Sequence, residues 1–523
     1  MKRVLLFILI FALALSLVGA KIPKDTLVIA ANTGILITLD PGAVYEVLGA
    51  VIVGALYDKL VDFEVVNGTL TPVPELAERW EISEDGKTYT FYLRKGIKFS
   101  SGNELTADDV VFSFKRYLLM GKPSSWLLPE IGINKDNMDE TIRKIDDYTV
   151  QLVFDKPYSP NIVLGILTNS FGGIVDKKEV LKHEVNGDLG EKWLTDHSAG
   201  SGPYVLVSWE RNQHVILQAN ENYWKGAPRI KRIIFRDVPE TTNQRLMLEK
   251  GDVDIAWNLI PQDLEELKSN PDIKIATFPG HGNEYVAVNC GWGPFKDPRV
   301  RLAIKYAINY DEIINDVMLG YAIKVQGLVL KGYQCYYPKN PFKQDIEKAK
   351  KLLAEAGYPN GFEVELMTTD TDRRKNEAVK IQADLAKIGI KVNVVIMKGS
   401  QMYPKYRKQG HQMVLAGWGS DYPDPDNYAK PFADYTVHQL AWRNMWYDDY
   451  ASLLAKKGGF ERDPVKRCQI YEDLTEYWFM NGPFAILYQF VEYFAYRKEL
   501  KNFEEAFVGY SAKTPDFTKL YKE

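Results

Sequence analysis

From residue 285 to about residue 420 the chain alternates helix-like and strand-like segments, and this order restricts the fold more than any other feature. Residues 299–310 read as a helix with Val300, Ala303, Ile304 and Ala307 facing inward. Asp345 is placed to cap a second helix, whose buried face is Ile346, Ala349, Leu352, Leu353 and Ala356 and whose stop is Gly357. A strand at 362–367, a helix at 373–387, a strand at 391–396, a short helix at 403–408 and a strand at 412–417 follow. Such alternation predicts an α/β fold, an open and mainly parallel sheet with covering helices.

The whole chain has 523 residues, which exceeds one ordinary core and implies two or three structural units. Its first twenty residues stand apart. Lys2 and Arg3 precede an apolar run over 4–18, and Val18-Gly19-Ala20 supplies small residues, so 1–20 read as a signal peptide cleaved after Ala20. No Cys lies near that point, and no lipid anchor is expected. Losing Lys2 and Arg3 takes the formal charge from −4 to −6. The mature chain is therefore expected to be exported, soluble and mildly acidic. It has no basic excess of the kind that a general nucleic-acid binder carries.

Upstream of the alternating region, 26–30 reads as a strand and 44–57 as a helix. Tyr89, Phe91 and Leu93 alternate on one face of a hairpin strand. Thr106 and Asp109 form a capping box before the stripe Val110, Phe114 and Tyr117. The Gly-rich turn at 198–204 lacks the Gly-Lys-Ser/Thr ending of a phosphate loop. The cysteines are Cys290, Cys335 and Cys468, without a CxxC motif. One disulfide is compatible with them, and spacing favours Cys290 with Cys335. The six histidines are scattered, so neither a metal site nor a cofactor is expected.

Ligands collect at the C-terminal ends of strands in an open α/β sheet. Two such ends carry suggestive residues. In the segment 368–374, Arg373 and Arg374 lie at a helix N-terminus, where a carboxylate would meet Arg donors and free backbone N–H groups. The other reading is that both arginines are solvated or pair with Asp370 and Asp372. In the segment 417–427, Gly417 and Gly419 permit close approach, Trp418 offers a rigid wall and Asp421 suits an ammonium group. The other reading there is an acidic surface turn with Trp418 simply packing. One anionic and one cationic anchor match the ends of a short zwitterionic peptide.

Ordered stretches then carry a resemblance. They include Leu76-Ala77-Glu78-Arg79-Trp80, Asp85-Gly86-Lys87-Thr88-Tyr89, Leu105-Thr106-Ala107-Asp108-Asp109-Val110, Gly200-Ser201-Gly202-Pro203-Tyr204, Asn222-Tyr223-Trp224, Gly251-Asp252-Val253-Asp254, Val300-Arg301-Leu302-Ala303 and the loop from Trp418 to Asn427. With these the chain resembles the dipeptide/oligopeptide-binding (family 5) extracellular solute-binding proteins of ABC importers. The resemblance implies a periplasmic-binding-protein-like two-lobe fold with an extra domain in the first lobe. The expected division is signal peptide 1–20, lobe 1 at 21–60, the additional domain at 61–190, lobe 1 again at 191–284, an α/β lobe 2 at 285–489, and a return to lobe 1 at 490–523.

It further implies a monomeric receptor in the periplasm or outside the cell, which captures a short peptide by hinge closure and hands it to a membrane permease without breaking a bond. Asp421 would hold the ligand ammonium, and Arg373 or Arg374 its carboxylate. Leu415 stands where oligopeptide binders carry an arginine, which favours dipeptides. Trp442, Trp446, Tyr447 and Tyr57 are further candidates for the cleft, with Trp446 equally readable as core. An oligosaccharide receptor on the same fold is the alternative, whereas nickel or haem capture would need the histidines to converge. A secreted hydrolase is the reading from another class, but no GxSxG, HExxH or GxxxxGK[ST] pattern is present.

Overall fold

The computed structural model describes residues 22–122, 125–507 and 515–523. The expected signal peptide lies outside the described residues. Eleven strands form the main sheet: β1 (Thr26–Ala31), β2 (Tyr204–Glu210), β3 (His214–Ala219), β4 (Arg232–Asp237), β5 (Ile255–Ala256), β6 (Ile273–Val288), β7 (Ala322–Ile323), β8 (Glu363–Thr369), β9 (Lys391–Met397), β10 (Met413–Gly419) and β11 (Phe484–Arg497). Their order is β9-β8-β10-β6-β11-β5-β1-β4-β3-β2, with β7 against β11.

The sheet is parallel in two separate places. β8 runs parallel to β9 and β10, and β1 runs parallel to β4 and β5. Between these parts lie β6 and β11, which are 16 and 14 residues long and antiparallel to each other. Both parallel parts are thus carried by the same two long strands. Each parallel part has its own large core. Val364, Leu366, Ile381, Leu385 and Leu415 belong to one, and Leu27, Ile29, Ile52 and Phe235 to the other.

A third large core lies around the four-stranded sheet of Ala77–Ile82, Thr88–Leu93, Thr149–Val153 and Ile142–Asp146. Tyr89, Phe91 and Leu93 are buried there in strict alternation, and Val110, Phe114 and Tyr117 cover them from the helix Ala107–Met120. The Thr106–Asp109 capping box that starts this helix is formed.

Within the α/β region the expected elements are found within about two residues of their limits at most ends. Asp345 accepts a bond from the Lys348 N–H at 2.9 Å and starts the helix Ile346–Glu355. Asp297 caps Pro298–Ala307, where Pro298 needs no N–H partner in the first turn.

The pairing of β6 with β11 is interrupted between Pro279 and Asn283. Pro279 lacks an N–H, and a Cβ on Gly280 would lie 2.8 Å from the Phe490 carbonyl oxygen. The buried Gln489 side chain mends the gap. Its Nε2 donates to the Gly280 oxygen (2.7 Å) and the Lys331 oxygen (2.9 Å), and its Oε1 accepts from the Lys331 N–H at 3.0 Å. The break falls between the two parallel parts.

The expected Cys290–Cys335 bond is not formed. Cys335 is bonded to Cys468 on the helix Pro464–Asn481, and Cys290 is a free thiol. Cys290 follows β6, where its N–H donates to the Asn444 oxygen at 2.8 Å, whereas Cys335 sits in a turn beside that helix. Sequence spacing carried no information about which helix would face Cys335.

Candidate functional site

β10 ends at Gly419, and its continuation folds into a loop locked from within. The Ser420 N–H donates to the His281 oxygen at 3.0 Å, and the Asp421 N–H donates to Asn427 Oδ1 at 2.9 Å. The Trp418 indole N–H donates to the Asn427 oxygen at 3.0 Å. Asp424 is gripped by two nitrogens of Arg467, at 2.8 and 2.5 Å, and accepts the Asp426 N–H at 2.8 Å. Tyr422 is inserted into the third core and donates to Asp426 Oδ2 at 3.0 Å. This locking fixes the direction of the one acidic side chain that points elsewhere.

That side chain is Asp421. The Tyr45 hydroxyl donates to its Oδ1 at 3.0 Å, and the Asn169 side chain donates to its backbone oxygen at 2.9 Å. Tyr45 precedes the helix Val47–Leu56 of the β1 core, and Asn169 follows the helix Pro160–Leu167 of the third core. The loop of β10 is thus met from the other side of the molecule. Burial pushes the Asp421 carboxyl above the usual carboxylate range, while Tyr45 and nearby His281 pull it back. Among the described residues no Lys or Arg forms an ion pair with it. A half-buried carboxylate without a cationic partner is costly, and it gains most from a cationic donor.

The two arginines are held by groups that the sequence reading did not name. Asp370 pairs with Lys398 and Asp372 with Lys375, so neither is the arginines' partner. Arg374 is 8% exposed and donates to Glu284 through Nε (2.6 Å) and Nη2 (3.3 Å), and to Thr369 and Tyr403 through Nη1. It is a buried support, which corrects the expectation that it faces a ligand.

Arg373 has a side chain 30% exposed and lies 5.2 Å from the Phe490 ring centre. Its Nη1 lies 3.0 Å from Glu284 Oε2, 3.0 Å from Glu377 Oε1 and 2.6 Å from the Tyr488 hydroxyl. Of the pair, Arg373 is the one with an edge open to an incoming group. Gly417 serves this cluster, since a Cβ there would lie 3.0 Å from Glu284 Oε2 and 3.2 Å from Arg374 Nη2. Gly419 is exposed, and a Cβ there would make only ordinary contact with His281 at 3.6 Å.

The aromatic candidates separate. Trp418 is half-buried, with its ring against the Phe432 edge at 6.4 Å, directly below the Asp421 loop. Trp446 is 5% exposed and belongs to the core, and Tyr57 is likewise buried. Trp442 stacks on His438 at 5.1 Å, and its oxygen accepts from Gln409, just before β10 begins. The segment of Trp442 and Trp446 therefore lies at the start of β10, whereas Asp421 lies beyond its end. Seven residues of strand, roughly 20 Å, separate the two. This corrects the expectation that Trp442 and Trp446 share a cleft with Asp421.

Sequence reasoning missed Tyr45, Asn169, His281, Glu284, Glu377 and Tyr488. Only Glu377 left a local signal, standing four residues after Arg373 on the helix Asp372–Ala386.

A family model for the bacterial extracellular solute-binding proteins, family 5 (middle part), matches residues 71–438. The chain is 31% identical over 468 residues to the dipeptide-binding protein of Escherichia coli K12, covering 86% of each. It is 34% identical over 394 residues to heme-binding protein A of Haemophilus influenzae, covering 72% of this chain and 71% of that one. Among solved structures, the periplasmic binding protein DppA of Helicobacter pylori in complex with the peptide STSA superposes with a TM-score of 0.76 at 29% identity, over 95% of this chain and 98% of that one. With this match, and with the two-part sheet carried on two long strands, the chain belongs to the family 5 bacterial extracellular solute-binding proteins.

Proposed function

We propose that this protein is the peptide-capturing receptor of an ABC importer. It works outside the cytoplasmic membrane, closes over a short peptide and delivers it to a membrane permease. The observation that carries the reading is Asp421, a half-buried carboxylate that accepts the Tyr45 hydroxyl and, among the described residues, forms no ion pair with a Lys or Arg. A peptide α-ammonium supplies the missing positive charge. Arg373 receives the α-carboxylate on its open edge, backed by Glu284 and Arg374. Trp418 and Phe490 flank the two anchors, and backbone groups of the β6 break hold the peptide bond.

The separation of the anchors supports a short ligand. Asp421 lies beside His281, and Arg373 is held by Glu284, three residues further along β6, roughly 10 Å of strand. An extended dipeptide spans at most about 7 Å, and hydrogen bonds of about 3 Å at both ends give a reach of up to about 13 Å, enough to cover that separation. Capture begins on one half of the sheet. Motion about the Pro279–Asn283 break brings Tyr45 and Asn169 onto the Asp421 loop, and reopening at the permease releases the peptide. In this reading 21–60, 191–284 and 490–523 form one lobe, 61–190 its additional domain and 285–489 the other lobe.

The test is calorimetric titration with a zwitterionic dipeptide, its N-acetyl form and its C-terminal amide. The reading requires both blocked forms to bind more weakly than the parent, and equal affinity for all three would refute it. The similarity to heme-binding protein A gives a second reading, haem capture, in which His281 beside the Asp421 loop, with its Nδ1 3.4 Å from Glu492, is the nearest histidine. A haem absorption band in titrated protein would favour it.

A further inference from the structure

The cluster behind Arg373 contains more negative charge than a carboxylate-binding site needs. Glu284 and Glu377 are both fully buried. Glu284 is supported on both oxygens, by Arg374 Nε at 2.6 Å and Nη2 at 3.3 Å and by Arg373 at 3.0 Å. Glu377 has Oε1 on Arg373 and on the Tyr488 hydroxyl, while its buried Oε2 has no hydrogen-bond partner among the described residues. With both carboxylates ionised, two guanidinium groups face two carboxylates. A peptide carboxylate arriving at the open edge of Arg373 makes a third anion, beside two carboxylates that are themselves shut off from solvent. One carboxylate has to become neutral, and the geometry selects Glu377, whose ionised form is the less supported of the two.

We infer that Glu377 is a proton-linked positioning residue of the carboxylate site: it pairs with Arg373 until a peptide arrives, then takes a proton from solvent and yields the guanidinium to the peptide carboxylate. The inference rests on the peptide reading above. The charged and titratable groups facing Glu377 are Glu284 from β6, Tyr488 from β11, and Arg373 with Arg374 on its own helix. Along the rest of that helix, Glu312 and Asp316 are engaged by Lys380, and Glu363 on β8 pairs with Lys391 on β9. Burial and the Glu284 charge push the Glu377 carboxyl up to about 7, against the pull of Arg373. The neutral form is therefore within reach at physiological pH, and a third carboxylate shifts Glu377 further toward it.

The experiment is calorimetry of the mature chain with L-alanyl-L-leucine between pH 6 and pH 8, in buffers of different ionisation enthalpy, for wild type and Glu377→Gln. For a group titrating near 7, wild-type affinity falls about tenfold from pH 6 to pH 8, with uptake of about half a proton per peptide at pH 7. Glu377→Gln loses this uptake and binds as tightly as wild type at pH 6, or more tightly. The peptide ammonium titrates near 8 in both proteins, so it cancels from the comparison. Equal proton uptake in the two proteins, or none in wild type at pH 7, overturns the inference. If the variant fails to fold, wild type with the C-terminal amide replaces it. Equal uptake with the amide and the free peptide overturns the inference, and uptake with the free peptide alone supports it. Failure of wild type to bind any dipeptide overturns the peptide reading and this inference with it, and is distinct from binding without proton uptake, which overturns the inference alone.

Discussion

Replacing Asp421 with Asn isolates the charge of the anchor. The amide keeps an oxygen to accept the Tyr45 hydroxyl now bonded at 3.0 Å, and the loop locks through Asn427, Asp424 and Arg467 do not involve the carboxylate. What disappears is the charged partner of the peptide ammonium. A hydrogen bond to a charged group contributes about 1.5–3 kcal/mol. The dissociation constant for a zwitterionic dipeptide is therefore expected to rise by about 10- to 150-fold. The N-acetyl dipeptide, which has no ammonium, is expected to bind wild type and variant alike.

Stability moves in the opposite direction. Burial raises the folded-state pKa of Asp421, so its ionised form opposes folding above the carboxylate range. Asp421→Asn removes that opposition, and its melting temperature at pH 7 is expected to equal or exceed that of wild type. The gain shrinks as pH falls and the wild-type carboxyl takes up a proton. Calorimetric titration and thermal melts at pH 7 and pH 4 check both halves. Unchanged dipeptide affinity in a folded Asp421→Asn protein would refute the assignment of Asp421 as the ammonium anchor.

Tyr45→Phe removes the hydroxyl that reaches Asp421 from the opposite half, and titration is expected to give about 2- to 13-fold weaker binding from a loss of about 0.5–1.5 kcal/mol. Reducing Cys335–Cys468, which spans 133 residues of sequence, is expected to cost about 2–5 kcal/mol in chemical denaturation while leaving peptide affinity unchanged. Trp446→Ala is expected to cost about 3–5 kcal/mol in the same assay as a core cavity, again without changing affinity in the protein that remains folded.

What was legible in the sequence follows from the range of each interaction. The helix starts at Asp345 and Thr106 and the alternation of Tyr89, Phe91 and Leu93 are local, and all of them form as the spacing implies. The segments of Asp421 and Arg373 stood out as candidates because both follow parallel strands, where the topology of an α/β sheet concentrates exposed backbone and loops. Their partners were not readable. Glu284 lies 90 residues from Arg374 and Tyr45 lies 376 residues from Asp421, so nothing local distinguishes them from other acidic and aromatic residues. The choice between Arg373 and Arg374 turned on the same missing information, since both reach the buried Glu284 and only their exposure, 30% against 10% of the side chain, separates the open edge from the support. Trp442 and Trp446 failed for a different reason. Aromatic content marks packing as readily as binding, and here it marks the start of β10 rather than its end.

The central claim is that the site between Asp421 and Arg373 takes a short zwitterionic peptide. Native mass spectrometry of gently purified protein, followed by denaturation and identification of the released molecules, tests it most directly. The account predicts a set of bound masses that resolve into dipeptides. Release of haem or of oligosaccharides in their place would contradict it.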